Sequence, residues 1–103
     1  MPIKQANTAI AIRITCIKKD NGDHDDPHEG ITELGWVGNG QRGRSTRREM
    51  VTFIEGGGLA YVQDAYGNVA YLEVRVSAAG NKYVRTKPDG TRNDNLLRLP
   101  ECN

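Results

Sequence analysis

The sequence predicts an α+β fold: a small single domain in which one helix covers a mainly antiparallel sheet of about five strands, ordered β-β-α-β-β-β, with a short C-terminal helical turn. Three observations carry this expectation. Apolar and polar residues alternate in several short runs, as half-buried strands require. A single stretch, "STRREMVTFIEGGG", has helical spacing. Turn-forming residues separate the last three alternating runs so closely that consecutive strands fold back on one another. Residues 1–8 precede the first periodic run and are expected to be a flexible segment, which leaves residues 9–103 as the domain.

The first strand is "AIAIRITCI", in which Ile10, Ile12, Ile14 and Cys16 fall in phase on one face. That phase predicts Cys16 as a buried thiol acting as a small hydrophobe. A polar connection from Lys19 to Gly30 leads to "ITELGWV", a second strand with Leu34 and Trp36 on one face, weakened by Gly35. The stretch "GNGQRGRST", from Gly38 to Thr46, reads as a mobile connector. In the helix that follows, Thr46 and Glu49 have capping-box spacing, and Met50, Phe53 and Ile54 form an apolar stripe with Val51 at its edge. Gly56 to Gly58 end it by allowing positive φ. Then come "LAYVQ", "VAYLEVRVS" and "KYVRT"; in the middle run Leu72, Val74 and Val76 face one way and Tyr71, Glu73 and Arg75 the other. Pro88, Asp89 and Gly90 suit a turn. "NDNLLRLPE" fits one or two helical turns, capped by Asn93 or Asp94 and stopped by Pro100.

Composition bounds the function classes. Ile, Leu, Val and Phe number 21 of 103 residues, close to the roughly 20% below which chains stay disordered, so the core must be thin. A net charge of +1 gives no global attraction to nucleic acid or membrane. Local charge is uneven: Lys4, Arg13, Lys18 and Lys19 precede an acidic region from Asp20 to Val37 that contains no Lys or Arg. No run reaches the roughly 20 apolar residues of a membrane span, and the N-terminus has no signal-peptide core. A cytoplasmic protein is expected, with Cys16 and Cys102 as free thiols in a reducing cytosol.

Gly38, Gly40 and Gly43 match the G-x-G-x-x-G spacing of a dinucleotide loop, between a strand and a helix, and Asp64 lies near the acidic position of that fingerprint. Against a nucleotide site, the following strands read as antiparallel hairpins, and 103 residues cannot hold a two-halved dinucleotide fold. The arginines are more informative. Arg42, Arg44, Arg47 and Arg48 lie within one short stretch, and the last two occupy the first helical turn, where the helix dipole disfavours cations. With Lys82, Tyr83, Arg85 and Lys87 they form a candidate set for binding phosphates. Solvated charge that keeps a thin-cored domain soluble is the plainer explanation. The acidic region could also face the arginines, within the domain or across a homodimer.

Cys16, His24, His28 and Cys102 are of the types that hold zinc, if the fold brings them together, although lone histidines in polar loops are usually just solvated. A catalytic pair of Cys16 or Cys102 with His28 lacks an orienting third group.

The stretches "ITCIKKD", "PHEGITELG", "REMVTFIEGG" and above all "GNKYVRTKPDGTRNDNLLRLPEC" resemble the bacterial family catalogued as domain of unknown function 3892. The resemblance runs from Ile14 to Cys102 and departs from the family pattern at "GNGQRGRS". It implies a small cytosolic accessory domain and brings no catalytic residue. The expectation is therefore an accessory or interaction domain without catalysis or cofactor, whose partner is another protein or a second copy. Weak binding of nucleic acid or another polyanion through Arg42 to Arg48 and Lys82 to Lys87 is the alternative, and a zinc-stabilised domain the second.

Overall fold

A computed structural model describes residues 11–20, 22, 27–87 and 96–102. The expected flexible segment at 1–8, the Pro88 to Gly90 turn, the Asn93 or Asp94 cap and His24 lie outside the described residues. The elements are β1 (Ala11–Lys19), β2 (Ile31–Gly38), β3 (Gln41–Thr46), α1 (Arg47–Glu55), β4 (Leu59–Gln63), β5 (Val69–Val76) and β6 (Lys82–Thr86). A 3-10 turn at Pro27–Gly30 leads into β2.

The strands form one sheet of order β3-β2-β1-β4-β5-β6. Every pairing is antiparallel except that of β1 with β4. Two three-strand meanders, each continuous in sequence, thus lie side by side through their first strands, with α1 connecting them. The expected antiparallel sheet of five strands is a mixed sheet of six.

The additional strand is the stretch read as a mobile connector. Asn39 and Gly40 have φ of 54° and 75°, the positive pair that a two-residue hairpin turn between twisted strands requires. Gly38 and Gly43 have a different reason to be glycine. A Cβ on Gly38 would stand 2.9 Å from the Ala11 carbonyl oxygen, and one on Gly43 would stand 2.7 Å from Trp36 Cζ2. The glycine spacing therefore serves a hairpin and its packing.

On β1, Ile14 pairs with Trp36, but Cys16 pairs with Gly35 and Ile17 with Leu34. Thr15 is thus an extra residue, a β-bulge, and it reverses the alternation. Ile12, Ile14 and Ile17 enter the core, whereas Cys16 turns to the opposite face. Cys16 is bonded there to Cys102, across 86 residues of sequence. The expectation of free thiols, one of them in phase with Ile14, is corrected on both counts.

β4 pairs with β1 only over Ala11 to Arg13. Farther along, the same edge of β1 is occupied by the C-terminal segment: the Ile17 N–H donates to the Pro100 carbonyl at 3.0 Å, and the Cys102 N–H to the Ile17 carbonyl at 2.9 Å. Leu96, in the turn that precedes this segment, is fully buried.

α1 starts as its sequence dictates. The Thr46 hydroxyl accepts from the Glu49 N–H at 3.2 Å, and the Glu49 carboxylate accepts from the Thr46 N–H at 2.8 Å. Such a cap is worth about 1 kcal/mol. Met50 and Val51 pack on Ile14, Leu34, Val62, Leu72 and Val84 within one core on one side of the sheet. A fully buried leucine such as Leu34 contributes roughly 1.5–3 kcal/mol, so this single layer accounts for much of what holds a thin-cored domain together.

Candidate nucleic-acid interface

The face of the sheet away from α1 follows from the alternation. Arg13 lies between buried Ile12 and Ile14, Tyr61 between buried Ala60 and Val62, and Tyr71 between buried Ala70 and Leu72. These three side chains therefore emerge on the outer side. Register aligns them: Arg42 is opposite Val37, Val37 opposite Arg13, Arg13 beside Tyr61, and Tyr61 opposite Tyr71. Lys87 extends the row, since its N–H donates to the Tyr71 carbonyl at 2.7 Å and it follows buried Thr86. One row thus crosses the whole sheet, from Arg42 through Val37, Arg13, Tyr61 and Tyr71 to Lys87. Five strand spacings make it roughly 24 Å long.

The Tyr61 and Tyr71 rings are 5.9 Å apart and tilted by 57°. Tyr71 and Val37 are 42% and 36% exposed, enough surface to receive a ligand. The row contains no acid, and Arg13, Arg42 and Lys87 have no salt-bridge partner among the described residues. Neighbouring acids already have partners: Glu33 pairs with Arg44 at 3.5 Å, and Glu73 with Arg75 at 3.2 Å. The local field of the row is therefore positive although the chain is nearly neutral.

The structure divides the eight basic and aromatic candidates. Arg42 and Lys87 fall at the two ends of the row, and Arg44 and Arg85 lie on the same outer side. Arg47 instead donates to the Glu29 carbonyl at 2.6 Å and ties the start of α1 to the 3-10 turn. That contact answers why a cation sits in the first helical turn. Arg48 and Lys82 flank a separate polar hollow on the α1 side, where Lys82 pairs with Glu55 at 2.7 Å. Tyr83 is buried. The acidic region does meet the arginines, through the Glu29 backbone carbonyl at Arg47 and through the Glu33 carboxylate at Arg44.

Sequence reading missed Arg13, Val37, Tyr61 and Tyr71. Alternation alone put Tyr71 on the wet face; the parallel pairing of β1 with β4, which joins the two halves of the row, has no local signal. As for zinc, the disulfide leaves neither sulfur as the thiolate a metal needs, and His28 is buried. Among the described residues no three metal-ligating side chains lie together. Asp64 shapes the β4–β5 turn, accepting from the backbone N–H groups of Tyr66 and Asn68 and from the Asn68 amide at 2.8–2.9 Å. The Asn68 side chain is the main cause that holds its carboxyl below the usual aspartate range, with the backbone N–H groups adding to it.

No helix among the described residues is long and apolar enough to cross a membrane. Comparison with known proteins matches residues 13–100 to a family described as a protein of unknown function, DUF3892. No curated protein and no solved structure matches the chain.

Proposed function

Starting from the chain's membership of the DUF3892 family, we propose that it is a small non-catalytic binding module that takes single-stranded nucleic acid across the outer face of its sheet. One observation carries this reading: the uninterrupted row Arg42, Val37, Arg13, Tyr61, Tyr71 and Lys87. Exposed aromatics on a sheet stack bases whatever their identity, and flanking cations take the phosphates. Among the described residues, α1 packs against the other face of the sheet from the row. Charge chooses the occupant, because a row with no acid and three cations that have no salt-bridge partner among the described residues suits a polyanion.

The test is fluorescence anisotropy with a short labelled oligothymidine at low salt. Binding should weaken steeply with salt, and each of Arg13→Ala and Arg42→Ala should reduce the log–log salt slope by about 0.7. Tyr71→Ala, an exposed change, should cost about 1–3 kcal/mol of affinity. Absence of binding at low salt would overturn the reading and would favour a protein partner for the same face.

A further inference from the structure

A second concavity lies at the β2–β3 hairpin, on the opposite side of the sheet from the row. It has a volume of about 290 Å³ and lies between Ile12, Trp36, Met50 and Phe53, with Asn39, Gln41 and Ser45 among its polar members. We infer that this cleft receives a single nucleobase, and so gives the module base preference. This rests on the nucleic-acid reading of the outer face and deepens it.

The walls and polar members together select a flat heteroaromatic. Trp36 and Phe53 supply aromatic surface suited to stacking on a planar ring, over a base of buried Ile12 and Met50. The Trp36 indole is held in place from two directions. Its Nε1–H donates to Ser45 Oγ at 3.1 Å, and its benzo ring lies over Gly43, where a Cβ would stand 2.7 Å from Cζ2. An aliphatic side chain would fill the space equally well, but it would leave the Asn39 and Gln41 amides unused. Each of those amides presents one acceptor and two donors, which is the complement of a base edge. The volume lies at the low end for ligand sites, large enough for one ring system and too small for a helix or strand of a protein partner.

Position connects the cleft to the row. Val37 and Arg42 form one opposed pair of the hairpin, and the pairs on either side, Trp36 with Gly43 and Gly38 with Gln41, point to the cleft side. β3 is an edge strand, so among the described residues no further strand blocks passage around it. A nucleotide whose phosphate meets Arg42 can therefore place its base over the edge and into the cleft.

Trp36 is the sole tryptophan, so its emission reports on the cleft directly. Titrating the full chain with adenosine, uridine, guanosine and cytidine monophosphates should quench Trp36 saturably, with unequal affinities among the four. Gln41→Ala, an exposed change, should weaken the tightest by about fivefold, the worth of one hydrogen bond. Tyr71→Ala should leave this quenching unchanged while weakening the oligonucleotide. If oligothymidine binds but no mononucleotide quenches Trp36, or if Gln41→Ala has no effect, the cleft inference fails and the face reading stands. Quenching that responds to Gln41→Ala without oligonucleotide binding sustains the cleft and removes the face.

Discussion

Gly35 lies directly across from Cys16 and has no room for a side chain: a Cβ there would overlap Cys16 Sγ and stand 3.2 Å from Cys102 Sγ. The glycine that weakens β2 as a strand is what lets the disulfide lie flat against the sheet. Gly35→Ala should therefore lower stability by about 1–3 kcal/mol, as overpacking does. Urea denaturation of the variant, alone and combined with Cys16→Ala and Cys102→Ala, checks the cause. The loss should shrink once the sulfurs are gone; an equal loss in both backgrounds would place the crowding elsewhere.

The bridge itself closes a ring of nearly the whole chain, and the chain-entropy account gives roughly 4–5 kcal/mol for a loop of that length. Beyond the bridge, the segment at Pro100 to Cys102 is held to β1 by two backbone hydrogen bonds. Cys102→Ser should reduce stability by about 2–5 kcal/mol and raise hydrogen exchange at the Ile17 amide before that at Val62. Wild-type protein in a strong thiol reductant should approach the same stability; if it does not change, the ring carries less than its length implies.

Local chemistry was legible in the sequence and long-range register was not. The Thr46–Glu49 cap, the Met50 stripe and the three final strands follow from spacing within a few residues, and the structure reproduces them. "NG" at Asn39 and Gly40 is also a local signal, the strongest short one for a hairpin, but it lies within a glycine spacing that fits a phosphate-loop template as well. The bulge at Thr15 leaves no trace in the alternation, which continues unbroken from Ile12 to Cys16; only the demand that Ile17 enter the core discloses it. Four of the six residues of the row had no reason to be grouped until β1 met β4. Arg42 and Lys87 were found by charge, whereas Arg13 and Tyr61 became neighbours through a pairing that spans the first meander and the helix.

Asp64 gives a pH prediction. Its carboxyl is held below the usual aspartate range, chiefly by the Asn68 amide, so the folded form favours the ionised group more than the unfolded form does. The stabilisation is fully present above the ordinary aspartate pKa and is lost as pH falls through the lower folded value. Carbon-detected NMR titration should place the Asp64 midpoint below that of an unstructured peptide of the same sequence. Asn68→Ala should move it back up; an unmoved midpoint would remove Asn68 as the cause.

The placement of Cys102 beside Ile17 also imposes an order on synthesis. Ribosomes make chains from the N-terminus, so β1 emerges before any element that will cover its second edge. The first meander can assemble as soon as β3 is made, yet β1 keeps that edge open until β4 arrives, and the stretch around Ile17 keeps it open until Pro100 to Cys102 follow. An apolar strand with unpaired backbone groups is a template for association with other chains. The last residues to lock onto the sheet thus close the aggregation risk that the first strand opens.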